Sequence, residues 1–197
     1  MNTLFDTSWR GVSASVDQTL ALGSVLGKLV RPGDMIGLIG ELGAGKTHLV
    51  RGIAQGMGLT DAPVTSPTFV MVQEYGGSAF SVPNGPEAHS TRSIPTEPAL
   101  IHIDAYRLKS LEDLESIGWD LDAEELRQGA VVVVEWADRL ADLLGQDLTI
   151  QLHHESESKR GLSVSAADSW TSRIGGLIEN FEKALQSNNI KSNPKSE

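Results

Sequence analysis

Apolar positions along the chain follow two rhythms, recurrences three and four residues apart and short unbroken runs, and the two alternate. Val16, Leu20, Ala21, Val25, Leu26 and Leu29 recur at helical spacing within Ser13 to Val30, and Arg31-Pro32-Gly33-Asp34 stops the pattern with a turn. Met35 to Ile39 is nearly continuous apolar sequence ending at Gly40, as in a strand buried on both faces of a parallel sheet. Leu49, Val50, Ile53, Ala54 and Met57 form the apolar side of a second helix that Gly56 and Gly58 close. Phe69 to Tyr75 and Leu100 to Asp104 predict two strands, antiparallel partners or neighbours. Ala130 to Val134 has the most buried character of any run, and it delivers Glu135 and Trp136 at its C-terminal end.

The remaining segments are less regular. Leu108 to Trp119 and Asp122 to Arg127 predict short helices, with Ser110 as N-cap of the first and Asp113 in its first turn. Another helix is expected around Asp138 to Leu144, and Asp147 to His153 with Leu162 to Ser165 reads as a hairpin. Trp170, Ile174, Leu177, Ile178, Phe181 and Leu185 stripe a final helix. Gly76 to Pro98 is rich in Gly, Ser, Pro and charge without periodicity, which predicts a flexible insertion at about 76–98 within one domain. That domain is expected to span 1–186, and the polar residues 187–197 predict a disordered tail. No internal repeat is visible.

Composition narrows the chemistry. The chain has 197 residues, 40% of them apolar, enough for a single core, and only 5% aromatic, so Val, Ile, Leu and Ala must fill that core. It has no cysteine, which excludes disulfides, thiolate metal sites and a cysteine nucleophile. A net charge of -10 opposes unaided binding to a polyphosphate backbone, so any nucleic acid is expected to be held by a partner. No apolar run approaches a membrane span, and the start lacks the basic and apolar regions of a secretory signal, so the expected location is cytoplasmic, with no membrane partner.

The sharpest motif lies between the first predicted strand and the second predicted helix. Gly40-Glu41-Leu42-Gly43-Ala44-Gly45-Lys46-Thr47 meets each position of the phosphate-binding P-loop. Its glycines let backbone N–H groups converge on phosphate oxygens, and the following helix aims its positive end at the same point. Lys46 supplies a mobile charge for the β and γ oxygens, and the Thr47 hydroxyl supplies a magnesium ligand. ATP and Mg2+ are therefore the expected cofactors, and the fold class is α/β, a three-layer P-loop NTPase fold with a mixed, mostly parallel central sheet flanked by helices. Magnesium needs a further oxygen ligand, and Asp104 and Glu135 both end apolar strands; one would bind the ion and the other orient the attacking water, and spacing does not decide between them. Ser66-Pro67-Thr68-Phe69 precedes a strand, where a hydroxyl acts either as a γ-phosphate sensor or as a turn cap. Trp136 reads as a core or interface residue, His102 as a structural histidine between apolar neighbours, and Lys159-Arg160 as a charged hairpin tip far along the chain from the loop.

Together with His102-Ile-Asp-Ala-Tyr-Arg-Leu108 and Val134-Glu-Trp-Ala-Asp138, the loop and the Ser66 to Phe69 motif resemble the bacterial TsaE (YjeE) family over roughly Thr19 to Ala166. The resemblance implies an ATPase of tRNA threonylcarbamoyladenosine (t6A37) biosynthesis, slow alone, that works with TsaB and TsaD and meets tRNA through that complex. It also implies residue roles. Glu41 to Thr47 would cradle the nucleotide with Lys46 on its phosphates, Thr47 and Glu135 would hold magnesium, and Asp104 would act on the water. Thr68 would be the switch threonine, Trp136 the tryptophan beside the metal ligand, Thr19 an adenine-side contact and Arg160 a nucleotide-contacting arginine. Ala105, where the family often has a bulkier apolar residue, and the long segment 76–98 depart from the pattern. The competing class is a small-molecule P-loop kinase, which needs an arginine-bearing lid; the one long insertion carries only Arg92. A nucleotide-gated interaction protein is a third reading, compatible with slow turnover.

Overall fold

The computed structural model describes residues 7–59, 64–65, 72–76, 99–108, 110, 113, 129–140 and 145–189. Seven strands form one sheet in the order β1-β7-β6-β2-β5-β4-β3, built from β1 (Thr7–Ser13), β2 (Met35–Ile39), β3 (Val72–Tyr75), β4 (Ala99–Asp104), β5 (Ala130–Glu135), β6 (Leu148–His154) and β7 (Arg160–Ala166). The central strands β6, β2, β5 and β4 run parallel. The outer ladders β1–β7, β6–β7 and β3–β4 are antiparallel, so parallel and antiparallel ladders are equal in number and the parallel character is confined to the centre. Helices α1 (Val16–Gly27), α2 (Lys46–Gly56) and α3 (Thr171–Asn189) complete the α/β architecture, with 3-10 turns at Ala105–Arg107, Ala137–Leu140 and Asp168–Trp170.

Strand β5 shows why the centre is apolar throughout. Val131 and Val133 join the cluster formed with Leu22, Leu26, Leu49, Ile53, Ile36 and Leu38, whereas Val132 and Val134 join Ile101, Ile103, Ala137 and Leu140 on the opposite face. Neighbouring side chains of one strand thus leave water on two faces, each worth about 1.5–3 kcal/mol. On the first face α1 and α2 meet through glycines. A Cβ on Gly52 would lie 2.2 Å from the Leu20 carbonyl oxygen, and one on Gly27 would lie 2.1 Å from that of Ile53, so the helix backbones touch. Helix α3 packs against α1 and β1, burying Leu177 and Phe181, the latter edge-on to Trp9. Arg173 forks onto both oxygens of Asp34 at 2.6 Å, in a pair that is nearly buried.

Several boundaries differ from the sequence expectation, each for a local reason. The first helix begins at Val16 because Ser15 caps it, its hydroxyl accepting the Gln18 N–H at 3.2 Å. The residues before it form β1, which pattern reading misses because only Trp9 among its inward positions is a large apolar residue. The turn after Trp136 is 3-10 over Ala137–Leu140, where an α-helix over Asp138 to Leu144 is expected; residues 141–144 lie outside the described residues. Helix α3 continues through Ser187 to Asn189, past the expected start of the tail, while 190–197 lie outside the described residues. Most of the predicted helices over 108–127, and the insertion beyond Gly76, lie outside as well; within the first, the Ser110 N–H does reach the Asp113 carboxylate at 3.3 Å.

Candidate nucleotide and metal site

The C-terminal ends of the parallel strands meet in one cleft, the position at which open α/β sheets bind ligands. Strand β2 runs into the glycine-rich loop Gly40–Gly45, which opens directly into α2. Gly45 is the N-cap of α2 at φ +100°, a conformation that side-chain-bearing residues rarely adopt, and it turns the first N–H groups of the helix toward the cleft. A cavity of about 400 Å³ lies there, lined by Leu42 to His48, Asp104, Tyr106, Glu135 and Trp136.

Strands β4 and β5 bring two acids to the same edge. Asp104 and Glu135 are register partners at the strand tips, and each is 3% exposed. Their surroundings separate them. Glu135 Oε1 accepts the Thr47 hydroxyl at 2.8 Å and lies 2.9 Å from His102 Nε2, while Asp104 Oδ1 accepts the Tyr106 backbone N–H at 3.0 Å. Lys46, 4% exposed, donates to the Gly40 and Glu41 carbonyls at 2.6 and 3.0 Å and rests 3.8 Å above the Trp136 ring. Burial lowers the pKa of its ammonium; Glu135, Asp104, Asp138 and Glu41 oppose that shift. Trp136 holds φ +59°, an uncommon backbone for a non-glycine residue, and its ring is tilted against Tyr106 at 5.1 Å. Arg139 lies over the Tyr106 ring at 4.8 Å.

The other expected residues occupy distinct places. Glu41 points away from the cleft and accepts the His154 backbone N–H at 3.0 Å, tying the loop to the end of β6. Arg160, which spacing reads as a charged hairpin tip and the resemblance as a nucleotide contact, lies beside the loop: its guanidinium donates to the Gly43 carbonyl at 3.4 Å and to the carbonyls of its own turn. Thr19 sits behind the loop, its hydroxyl engaged with Ser13 Oγ at 2.8 Å and its methyl turned toward Gly45. Thr68 lies outside the described residues. Sequence reasoning assigned nothing to Tyr106 or His48, although both line the cavity. The available signals were Tyr106 two residues past a strand-end acid and His48 in the opening turn of α2. His48 is held toward its neutral form by burial and by Arg51 and Arg160.

The model of a family described as threonylcarbamoyl adenosine biosynthesis protein TsaE matches residues 13–162, more than half of the chain. The chain belongs to the TsaE family. A Mycobacterium tuberculosis protein named tRNA threonylcarbamoyladenosine biosynthesis protein TsaE is 41% identical over 150 residues, covering 73% of this chain and 77% of its own. Proteins of the same name from Treponema pallidum and Bacillus subtilis are 35% and 30% identical, over 79% and 80% of this chain and 99% and 84% of theirs. The crystal structure of Bacillus subtilis YdiB superposes with a TM-score of 0.60 at 25% identity, over 89% of this chain and 94% of that one. The TsaE match begins at Ser13 and ends at Leu162, and therefore spans the glycine loop, both strand-tip acids and Arg160. Among the described residues no helix is long and apolar enough to cross a membrane.

Proposed function

We propose that this TsaE-family chain binds ATP in the cleft at Gly40–Thr47 as a P-loop NTPase, hydrolyses it with magnesium, and serves tRNA t6A37 biosynthesis with TsaB- and TsaD-like partners. The observation that carries the reading is the Thr47–Glu135 hydrogen bond, which joins the helix-opening hydroxyl of the loop to a buried strand-tip carboxylate. Oxygen ligands of that kind suit a hard divalent cation. Magnesium there would neutralise charge on the transferring phosphoryl oxygens.

The chain's own groups account for the other functions. Backbone N–H groups of Gly43 and of Gly45 to Thr47 at the start of α2 would bind phosphate oxygens, while the Ala44 N–H is taken by the Glu41 carbonyl at 3.1 Å. Lys46 has three N–H donors; Gly40 and Glu41 take two, and one remains for a phosphate. Thr47 and Glu135 would hold the ion, and Asp104, one strand farther out and tied to the Tyr106 N–H, would orient the attacking water. Thr68 is assigned a switch role by the family resemblance. The net charge of -10 leaves tRNA to the partners.

The test is ATP hydrolysis by the purified chain with and without magnesium, alone and with a TsaB–TsaD pair and unmodified tRNA. Partner-stimulated hydrolysis coupled to t6A formation is expected. Magnesium-dependent turnover indifferent to the partners would keep the ATPase and remove the tRNA role, and Glu135→Ala with unchanged turnover would remove the metal assignment.

A further inference from the structure

His102 lies on β4 two residues before Asp104 and is fully buried. It shares one face of the sheet with Asp104 and Glu135, because β4 and β5 pair in register from Ala99–Ala130 to Asp104–Glu135. Its Nε2 lies 2.9 Å from Glu135 Oε1, the oxygen that also accepts the Thr47 hydroxyl. A carboxylate only accepts, so Nε2 carries the hydrogen and donates. On the other side of the ring, Nδ1 has no partner among the described residues. Packing of the ring among Leu100, Val133 and Tyr75 would need no imidazole, and a leucine of similar volume would avoid the unpartnered nitrogen altogether.

We infer that His102 is a positioning residue for Glu135: its Nε2–H fixes Oε1 and so sets which carboxylate oxygen is presented to a magnesium ion at Thr47. The inference rests on the metal reading above and adds to it the group that orients the ligand. When Thr47 gives a lone pair to the ion its O–H can still donate to Glu135, and the His102 Nε2–H is the donor to Oε1 that does not itself depend on the ion. Groups bonded to metal ligands in this way change metal affinity by about 10- to 100-fold when removed.

The experiment is calorimetric titration of ATP into the full chain, in EDTA and across a magnesium series, for the parent, His102→Phe, His102→Asn, His102→Gln and Glu135→Ala. Phenylalanine keeps the volume without the donor, the asparagine amide is too short to reach Oε1, and the glutamine amide nitrogen reaches about as far as Nε2. Expected is a rise of about tenfold in the magnesium concentration that half-maximally strengthens ATP binding for His102→Phe and His102→Asn. Their metal-free ATP affinity should stay parental, and His102→Gln should restore most of the magnesium response. If the apolar variant does not fold, the Asn–Gln pair decides alone. Parental magnesium dependence in Phe and Asn, or a Gln variant as impaired as they are, overturns the inference; with Glu135→Ala still impaired, only the positioning role falls. If Glu135→Ala itself keeps the parental magnesium dependence, the ligand assignment fails and the inference fails with it.

Discussion

Replacing Gly52 by alanine sets two effects of opposite sign against each other in the helix that carries Lys46 and Thr47. By intrinsic propensity the change should stabilise α2 by about 1 kcal/mol. The structure predicts the reverse. The new methyl would sit 2.2 Å from the Leu20 carbonyl oxygen and 2.8 Å from Gly23 Cα, where ordinary contact begins near 3.4 Å. Both obstacles are backbone and cannot rotate aside, so α1 and α2 must separate by roughly an ångström or strain, which belongs at the upper end of overpacking costs, about 3 kcal/mol. The net loss is about 2 kcal/mol, a fall in Tm of about 4–8 °C for a chain of this size. Gly176→Ala in α3 is the control, since nothing lies within 4 Å of the added carbon; a rise of about 1–4 °C is expected there. Thermal denaturation followed by circular dichroism measures both. A Gly52→Ala protein melting as high as Gly176→Ala would refute the close backbone packing of α1 against α2.

The remaining predictions concern the site and its support. Lys46→Ala removes the cation proposed to meet the phosphates and should weaken ATP binding by about 10- to 100-fold, measured by titration; affinity equal to the parent's would remove Lys46 from the proposed site. Arg160→Ala loses a half-exposed contact to the Gly43 carbonyl and should change ATP affinity by less than about fivefold, so a hundredfold loss would mean that the arginine meets the nucleotide directly. Arg173→Met leaves the Asp34 carboxylate buried with the Arg31 N–H and no counter-charge, at a cost of about 3–5 kcal/mol. Tm should fall by at least about 6 °C and recover in part when Asp34→Leu is added; a melting point within about 1 °C of the parent would show the pair to be dispensable.

Much of this fold is legible in the sequence because its centre is apolar on two faces. The runs Met35–Ile39, Leu100–Ile103 and Ala130–Val134 need no alternation to be recognised, and each ends in a residue, Gly40, Asp104 or Glu135, whose chemistry marks the same edge of the sheet. Strand β1 is illegible for the opposite reason. Its inward positions are Trp9, Gly11 and Ser13, and the Trp9 ring covers Gly11, so one side chain does the work of several and no periodic pattern forms. Arg160 is misplaced by linear reading because nearness to the loop depends on β6 lying beside β2, a fact of strand order with no local signature.

Strand order also explains why spacing leaves Asp104 and Glu135 equivalent while the structure does not. Both acids end parallel strands at the same height, and nothing in a sequence says which strand is the nearer neighbour of the one that feeds the glycine loop. Strand β5 pairs directly with β2, Leu38 opposite Glu135, and β4 lies beyond it by one more strand spacing of about 4.8 Å. A threonine hydroxyl in the first turn of α2 reaches an acid one strand away and no farther, which is why Thr47 bonds Glu135. The same geometry leaves Asp104 one strand farther from α2, in a cavity that Tyr106 and Trp136 also line. The different surroundings of the two acids, and with them the division of labour proposed above, thus follow from one topological choice, the insertion of β5 between β2 and β4. Exchanging the two acids in an Asp104→Glu, Glu135→Asp double variant should lose the Thr47 contact, because the shorter side chain would then stand on the nearer strand and the longer one where the hydroxyl does not reach.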